Sequence, residues 1–286
     1  MNLNTIISAS FRSDLERFFK EDDLERNFYY INSLPDEIVE CRIIFKSKTI
    51  IAGMPFFLEG FKYLGGIIDE EETLLSLEGK KISNPPFEAS FTIPFSIALT
   101  GERIALNLLQ NLSGIAHLTS KFVEKAQKYQ ISILDTRKTL PGLRSLQKYA
   151  VRVGGGSNHR MGQSDLWMIK DNHKRFFGGI KNSLEYFSSM NSFYQPIVLE
   201  IHSLPELKEA INLNVKHVML DNFSPDQLVE AIKIKVSDMT YEISGGITLD
   251  NIDHYLMKGV DAISIGSLTT KTHNADISLK YQRINA

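Results

Sequence analysis

The chain has 286 residues, a formal net charge of −2 and a pI near 6.4. A charge this small gives no general attraction to nucleic acid or to an anionic membrane surface, so bulk electrostatics exclude those two classes of partner. The length allows two modest domains, or one barrel with an added domain, and a hydrophobic content of 43% supports a sizeable core.

Cysteine usage and the N-terminal segment predict a reduced, cytoplasmic protein. The one cysteine, Cys41, lies in the strand-like segment CRIIF, so neither an intrachain disulfide nor a cysteine-based zinc site is expected. Cys41 is interpreted as a buried apolar residue. The first residues, MNLNTIISASFRSDLERFF, lack the basic segment of a signal peptide. No run approaches about 18 consecutive apolar residues, so no membrane-spanning segment is expected.

The first third of the chain predicts an α+β domain with no chemistry of its own. Residues 13–23 are typical of an amphipathic helix, residues 40–51 of strands and residues 54–63 of a short helix. A polar stretch, residues 69–86, follows and ends in a pair of prolines. The expected role of this domain is that of a scaffold or a dimerisation domain.

A long amphipathic helix, or a broken pair of helices, is predicted for residues 101–128. Apolar residues recur there at three- and four-residue spacing, and Thr100 has the residue type of an N-cap. Arg103 would then lie in the first turn, where the helix dipole disfavours a cation. We therefore interpret Arg103 as a residue that serves an anion.

Beyond this helix, short apolar runs alternate with helix-like segments. Most of the runs are about twenty to thirty residues apart, which is typical of repeated βα units. The pattern predicts an α/β fold with a closed or nearly closed barrel of seven strands. The predicted strands are residues 131–134, 150–153, 166–169, 197–201, 217–220, 240–243 and 262–265.

Basic side chains lie at or just after the first three of these strands. Because active sites of such barrels lie at the carboxyl ends of the strands, the cations would gather in one crevice. Like charges repel one another at close range unless an anion binds between them, so they predict a site for a multiply charged anion. This set, called the basic cluster below, consists of Arg137, Lys138, His159, Arg160 and Lys170.

The later strands lead into acidic and glycine-rich segments. Glu200 and Asp221 could hold a hydrated Mg²⁺ together with substrate phosphates, or each could instead pair with a neighbouring lysine or arginine. Thr248 is the expected N-cap of a helix starting near Leu249, and glycines before a helix N-terminus let backbone amides approach a phosphate. The predicted phosphate site consists of Ser244, Gly245, Gly246, Ser264, Ile265 and Gly266.

Seven segments carry a resemblance to one enzyme family. They are ERIALNLLQNLSGIA, DTRKTLPGLR, KYAVRVGGGSNHRMG, KDNH, MLDN, EISGGIT and ISIGSLT, in the family's order and spacing over roughly residues 100–270. On these segments the chain resembles quinolinate phosphoribosyltransferase, also called nicotinate-nucleotide pyrophosphorylase (carboxylating). The resemblance implies that quinolinate and phosphoribosyl pyrophosphate give nicotinate mononucleotide, pyrophosphate and CO₂ in NAD biosynthesis, with Mg²⁺ as the required ion.

The resemblance also implies roles for the residues named above. The basic cluster would bind the two carboxylates of quinolinate, and Arg103 would join it from the neighbouring subunit of a homodimer. Glu200 and Asp221 would contact the ribose hydroxyls and Mg²⁺, and the predicted phosphate site would hold the phosphates. The catalytic residues would be Lys138, Lys170, Glu200 and Asp221.

The fold that the resemblance implies is an N-terminal α/β sandwich domain joined to a seven-stranded, open or incomplete α/β barrel, as in type II phosphoribosyltransferases. The sandwich would comprise residues 1–110, with residues 270–286 packed back on it, and the barrel residues 111–269. Val198 and His202 depart from the family pattern, because they occupy positions where an acidic residue is common.

Three other interpretations remain open on the sequence. A paralogue of the same fold, associated with molybdate transport, would act on another substrate, but the intact basic cluster argues against it. A nicotinate phosphoribosyltransferase would need to hold one carboxylate fewer. A non-catalytic anion-binding or nucleic-acid-binding protein would be hindered by acidic residues inside a basic crevice. His173, close to the basic cluster, has no assigned role.

Overall fold

The computed structural model describes residues 3–24 and 32–284, which form two compact units. The first unit holds the described residues of Met1–Leu118 and Thr272–Ala286, and the second holds Thr119–Lys271. The domain boundary expected near residue 110 stays a prediction, since compactness does not establish independent folding. In the described part of the chain, no helix is both long and apolar enough to cross a membrane.

The first unit is built on a three-stranded antiparallel sheet in which β1 (Ile38–Phe45) lies between β4 (Phe87–Pro94) and β11 (Ile277–Arg283). Side chains of β1 alternate between buried and more exposed positions, as expected of a strand with one face on a core. The unit's other elements are α1 (Leu3–Glu21), β2 (Thr49–Ile50), α2 (Met54–Tyr63), α3 (Glu71–Leu75) and β3 (Lys81–Ile82).

Cys41 lies on the buried face of β1, opposite Phe91 on β4. Its thiol is fully buried, and burial raises its pKa to about 12. The prediction of a buried apolar residue is therefore confirmed. The helix predicted for residues 54–63 is also confirmed, since α2 has the same bounds.

One continuous helix, α4 (Phe95–Ala126), replaces the predicted helix or broken pair. It begins directly after β4, so Thr100 lies inside the helix, where its hydroxyl donates to the Ser96 carbonyl at 2.7 Å. The prediction of an N-cap at Thr100 is wrong, and so is the placement of Arg103 in the first turn. A Cβ at Gly101 would lie 2.7 Å from a Phe61 ring carbon, so close packing explains this glycine within the helix.

The second unit contains a six-stranded parallel sheet in the order β5–β10–β9–β8–β7–β6. Six of the seven predicted strands are present, and their carboxyl ends lie at the same edge because all the pairings are parallel. The strands are β5 (Ser132–Leu134), β6 (Trp167–Ile169), β7 (Ile197–Ile201), β8 (His217–Asp221), β9 (Thr240–Ser244) and β10 (Ala262–Ser264).

Helices connect these strands, and several begin at well-formed caps. Ser203 caps α8 by accepting from the Glu206 amide, and Ser224 and Gln227 form a reciprocal capping box at α9. The helices are α5 (Arg144–Val153), α6 (Asp171–Phe177), α7 (Ile180–Met190), α8 (Leu204–Asn212), α9 (Pro225–Lys233) and α10 (Ser267–Thr270).

The strand predicted for residues 150–153 is wrong, because these residues form the last turn of α5. The buried residues Leu146, Gln147, Ala150 and Val151 recur at helical spacing, and the short run AVRV is one part of that pattern. The chain then returns to the sheet through a single bridge, Ser157 to Leu134 of β5. Within the described residues no ladder joins β5 to β6, so closure into a barrel stays a prediction.

Candidate active site

A cavity of about 240 Å³ lies at the carboxyl ends of the parallel strands. All six strands contribute to it, because each has a residue that lines the cavity within two positions of its carboxyl end. Two methionines, Met168 and Met219, add apolar surface. The predicted site residues that line the cavity are Arg137, Lys138, His159, Arg160, Lys170, Glu200, Asp221, Ser244 and Ser264.

Five predicted site residues do not line this cavity: Arg103, Gly245, Gly246, Ile265 and Gly266. Arg103 lies on α4 within the first unit, where its exposed guanidinium is 3.6 Å from Glu102. Ile265 is buried, and its amide donates to the Leu134 carbonyl, so it extends the sheet. The roles of these residues stay predictions.

Gly266 lies beside the cavity, against the side chain of Lys138. A Cβ at Gly266 would be 3.1 Å from Lys138 Cδ and 3.9 Å from its Nζ. The Lys138 backbone is held as well, because Thr269 donates its hydroxyl to the Lys138 carbonyl at 2.6 Å. The glycine therefore leaves room for this lysine next to the end of β10.

Two arginines of the basic cluster lie close enough to disfavour each other's charge. Burial lowers the pKa of Arg160, and the charge of Arg137 lowers it further, while Asp165 acts in the opposite direction. One Nη of Arg160 donates to the Leu166 carbonyl at 2.8 Å. Arg137 Nε is buried and has no hydrogen-bond partner within the described residues. An anion bound between the two guanidinium groups would satisfy this donor and reduce the repulsion.

A buried ion pair supports two of the three segments that carry the basic cluster. Lys148 of α5 bonds Asp135, and the side chains are 1% and 0% exposed. The Lys148 ammonium also donates to the His159 carbonyl at 2.9 Å, and the His159 amide donates to Asp135 at 2.9 Å. Asn158 donates to the other Asp135 oxygen at 2.5 Å. This network, called the buried network below, joins the end of β5 to the loop before Arg160.

His159 lines the cavity, but both ring nitrogens already have protein partners. The Arg160 amide donates to Nδ1 at 2.7 Å, and Nε2 lies 3.3 Å from a carboxylate oxygen of Glu242 on β9. Since Nδ1 accepts a hydrogen bond, the ring proton is placed on Nε2, facing Glu242. Sequence reasoning missed Glu242, although its position two residues before Ser244 on β9 gave a signal.

The acidic side of the cavity is already neutralised in part. Lys170 bonds Oε2 of Glu200, so the alternative of a carboxylate paired with a lysine applies to Glu200. Oε1 of Glu200 lies 3.4 Å from His202 Nε2. Asp221 accepts from the side-chain amide of the neighbouring Asn222 at 2.8 Å and lies 3.8 Å from His202 Nδ1. His202 therefore lies between the two carboxylates that the sequence singled out.

His173, left without a role, has a structural one. Its Nδ1 accepts from the Lys170 amide at 3.0 Å at the start of α6, and its ring packs edge-on against Phe187. His173 thereby fixes the backbone that presents Lys170 to the cavity.

The glycine-rich turn after β9 differs from the prediction. No α-helix follows Thr248 in the described residues up to β10, and the segment contains only a short 3₁₀ helix, Ile252–His254. The argument from a helix N-terminus is therefore wrong there. Asn251 shapes the turn instead, because its side chain accepts from the Thr248 amide and donates to the Gly246 carbonyl.

Replacing either of the two glycines of this turn with alanine should lower stability, but by different amounts. Gly245 and Gly246 have φ of +97° and +65°, and an added Cβ would lie 2.2 Å from Asn222 Oδ1 at Gly245 but would meet nothing within 4 Å at Gly246. Gly246→Ala should cost about 1–2 kcal/mol of unfolding free energy, and Gly245→Ala should cost more because of the clash. Urea unfolding of both variants tests this expectation, and equal losses would contradict it.

A family model places this site among known proteins. The model described as "Quinolinate phosphoribosyl transferase, C-terminal domain" matches residues 115–280, which is more than half of the chain. These residues include the basic cluster and both carboxylates discussed above.

Two curated relatives and one solved structure extend the match. A Bacillus subtilis (strain 168) protein named "Probable nicotinate-nucleotide pyrophosphorylase (carboxylating)" is 37% identical, covering 93% of this chain and 91% of its own. The Homo sapiens nicotinate-nucleotide pyrophosphorylase (carboxylating) is 35% identical, with coverages of 82% and 80%. The structure of the nicotinate-nucleotide pyrophosphorylase from Francisella tularensis is 33% identical, with a TM-score of 0.85 and coverages of 99% and 98%.

These matches agree with the fold. The relatives and the solved structure cover between 82% and 99% of this chain. The family model covers the unit that contains the cavity. The chain belongs to the quinolinate phosphoribosyltransferase family, the carboxylating nicotinate-nucleotide pyrophosphorylases.

Proposed function

We propose that the chain transfers the phosphoribosyl group of phosphoribosyl pyrophosphate to quinolinate, giving nicotinate mononucleotide, pyrophosphate and CO₂, a step of NAD biosynthesis. The observation that carries the proposal is a single cavity whose lining combines two lysines and two arginines with two carboxylates. Quinolinate is a dianion, so its recognition needs several fixed donors, and the forked guanidinium groups of arginine match carboxylate geometry.

In this proposal the two arginines bind the carboxylates of quinolinate. Arg137 supplies a buried donor that lacks a partner in the described residues, and Arg160 is oriented by its bond to the Leu166 carbonyl. Lys138 and Lys170 neutralise the charge of the pyrophosphate that leaves and of the 5′-phosphate that remains on the product. The ends of β9 and β10, through the predicted phosphate site, contact the 5′-phosphate and the pyrophosphate.

The proposed reaction needs no enzyme nucleophile. The bond from ribose C1 to pyrophosphate breaks, and the pyridine nitrogen captures the oxocarbenium-like carbon. The carboxylate next to the cationic ring nitrogen then leaves as CO₂, and the ring carbon that retains the electron pair is protonated. The side chains of the cavity would act by positioning and by electrostatic stabilisation.

Mg²⁺ is part of the proposal, at Glu200 and Asp221. Both carboxylates line the cavity, and Lys170 bonds only Oε2 of Glu200, which leaves Oε1 directed towards His202. Carboxylate oxygens suit this hard cation. When bound, the ion would neutralise charge that develops on the departing pyrophosphate.

The proposal also includes a homodimer and a cytoplasmic location, both taken from the resemblance. Arg103 would reach the cavity of the neighbouring subunit, and its exposure on α4 is compatible with such a contact. The molar mass in solution would test the homodimer separately. The activity of dimers that combine one Arg103→Ala subunit with one unsubstituted subunit would test the role of Arg103.

The experiment that tests the function measures nicotinate mononucleotide and CO₂ from quinolinate and phosphoribosyl pyrophosphate, with Mg²⁺ and then with a chelator. We expect turnover that the chelator abolishes. Turnover with nicotinate but not with quinolinate would instead identify a nicotinate phosphoribosyltransferase. A folded protein inactive on both substrates would favour the paralogue associated with molybdate transport.

A further inference from the structure

A histidine that the proposed reaction does not use lies among three carboxylates beside the cavity. His202 follows β7 directly, two positions after Glu200. Its Nε2 atom is 2.6 Å from Asp171 Oδ1 and 3.4 Å from Glu200 Oε1, and its Nδ1 atom is 3.8 Å from Asp221 Oδ2. Three segments of the second unit therefore bring one imidazole and three carboxylates together.

The separations between these groups are close to those of ligands around one metal ion. One ligand atom from each of Asp171, Glu200 and His202 lies within 4.8 Å of the others. For metal–ligand bonds of about 2.1 Å, adjacent ligand atoms are about 3.0 Å apart in an octahedral site and about 3.4 Å apart in a tetrahedral one. The 3.4 Å between His202 Nε2 and Glu200 Oε1 fits this range. The 2.6 Å between Nε2 and Asp171 Oδ1 is shorter, so the Asp171 side chain would rotate outward when one ion binds all three groups.

The partners of the two carboxylates leave the required oxygen atoms directed at His202. Lys170 bonds Oε2 of Glu200, so Oε1 remains on the His202 side. Lys174 lies 3.2 Å from Asp171 Oδ1, but its ammonium is held by both oxygens of Glu206 and by the Glu200 carbonyl at 2.9–3.0 Å. These lysines reduce the repulsion between the acids, and Lys170 does so without bonding Oε1 of Glu200.

A second observation concerns the nitrogen itself. Nε2 of His202 is buried and makes no hydrogen bond of acceptable geometry within the described residues, although Asp171 Oδ1 is close. A buried polar atom without a hydrogen bond is unfavourable, and it commonly indicates an ion or water that completes the site. A cation between the imidazole and the two carboxylates would satisfy this nitrogen.

We propose that Asp171, Glu200 and His202 bind a divalent first-row transition-metal ion in preference to Mg²⁺. Imidazole nitrogen is a good ligand for ions such as Co²⁺ and Zn²⁺, whereas Mg²⁺ prefers oxygen ligands in octahedral geometry. The inference deepens the proposed function by replacing Mg²⁺ at Glu200 with such an ion, because His202 adds a nitrogen ligand beside that carboxylate. It rests on the proposed function for the use of the ion in phosphoribosyl transfer. Metal binding by the three side chains is independent of that function.

The test is a titration of the substrate-free, full-length protein with Co²⁺, followed by visible absorption. We expect one ion per chain, a dissociation constant at least tenfold higher in His202→Asn, and displacement only by a large excess of Mg²⁺. His254→Asn is the matched control, because His254 is exposed and lies outside this cluster. His202→Asp replaces the nitrogen with oxygen ligands and should make Mg²⁺ a stronger competitor. Circular dichroism establishes that each variant is folded.

The outcomes separate this inference from the proposed function. Equal Co²⁺ affinity in His202→Asn and the unsubstituted protein, or displacement by equimolar Mg²⁺, would overturn the inference whatever the turnover. Co²⁺ binding that depends on His202, in a protein that forms no nicotinate mononucleotide, would support the metal site and reject the proposed function.

Discussion

Lys148→Met should lower the free energy of unfolding by about 3–5 kcal/mol, because it leaves the buried carboxylate of Asp135 without its cation. Both side chains are essentially inaccessible to solvent, so water cannot replace the lost ammonium. The Lys148 bond to the His159 carbonyl is lost as well. The shift of the urea unfolding midpoint, multiplied by the slope of the transition, measures this effect.

The matched control for this prediction is an exposed ion pair. Lys216 and Asp238 bond each other with side chains that are 52% and 61% exposed, so Lys216→Met should leave the urea midpoint almost unchanged. A double variant, Lys148→Met with Asp135→Asn, should recover part of the loss, because it removes the buried charge and keeps an acceptor for the His159 amide. If the double variant is less stable than the single one, an uncompensated charge does not explain the loss.

The buried network also shows what sequence reasoning could not find. Asp135 and Lys148 have the residue types of a solvated surface, and their separation of 13 positions matches neither a helix nor a strand period. Their pairing depends on how α5 packs beside β5, which is a tertiary contact. The neighbouring cations Arg137 and Lys138 were found because they follow a recognisable apolar strand.

The errors in the predicted elements have local causes. Residues 150–153 form a four-residue apolar run that fits a strand or a helix, and only the wider pattern from Leu146 to Val151 favours the helix. Thr100 suggested a helix start, whereas α4 already begins at Phe95 and continues through Thr100, whose hydroxyl bonds the Ser96 carbonyl. The site residues that follow strands were predicted more successfully, because the carboxyl ends of parallel strands lie at one edge of the sheet and bring residues distant in sequence together.

Arg137→Ala should lower kcat/KM for quinolinate by about 30-fold or more, since truncating one member of a desolvated charged contact costs about 2–5 kcal/mol. Arg137 lines the cavity, its Nε is buried, and its charge already lowers the pKa of Arg160. Removing Arg137 takes away a hydrogen-bond donor for a carboxylate, and it also removes the charge that lowers the pKa of Arg160. Steady-state kinetics with quinolinate as the varied substrate measure the change.

A charge-conserving variant distinguishes forked geometry from charge alone. Arg137→Lys keeps the cation but loses the paired donors of the guanidinium, so we expect an intermediate loss, about tenfold. Arg175→Ala is the control, because Arg175 is exposed at the end of α6 and does not line the cavity. A kcat/KM for Arg137→Ala within threefold of the unsubstituted protein would mean that quinolinate does not bind at this arginine. The carboxylates would then have to be held by Arg160 and the lysines.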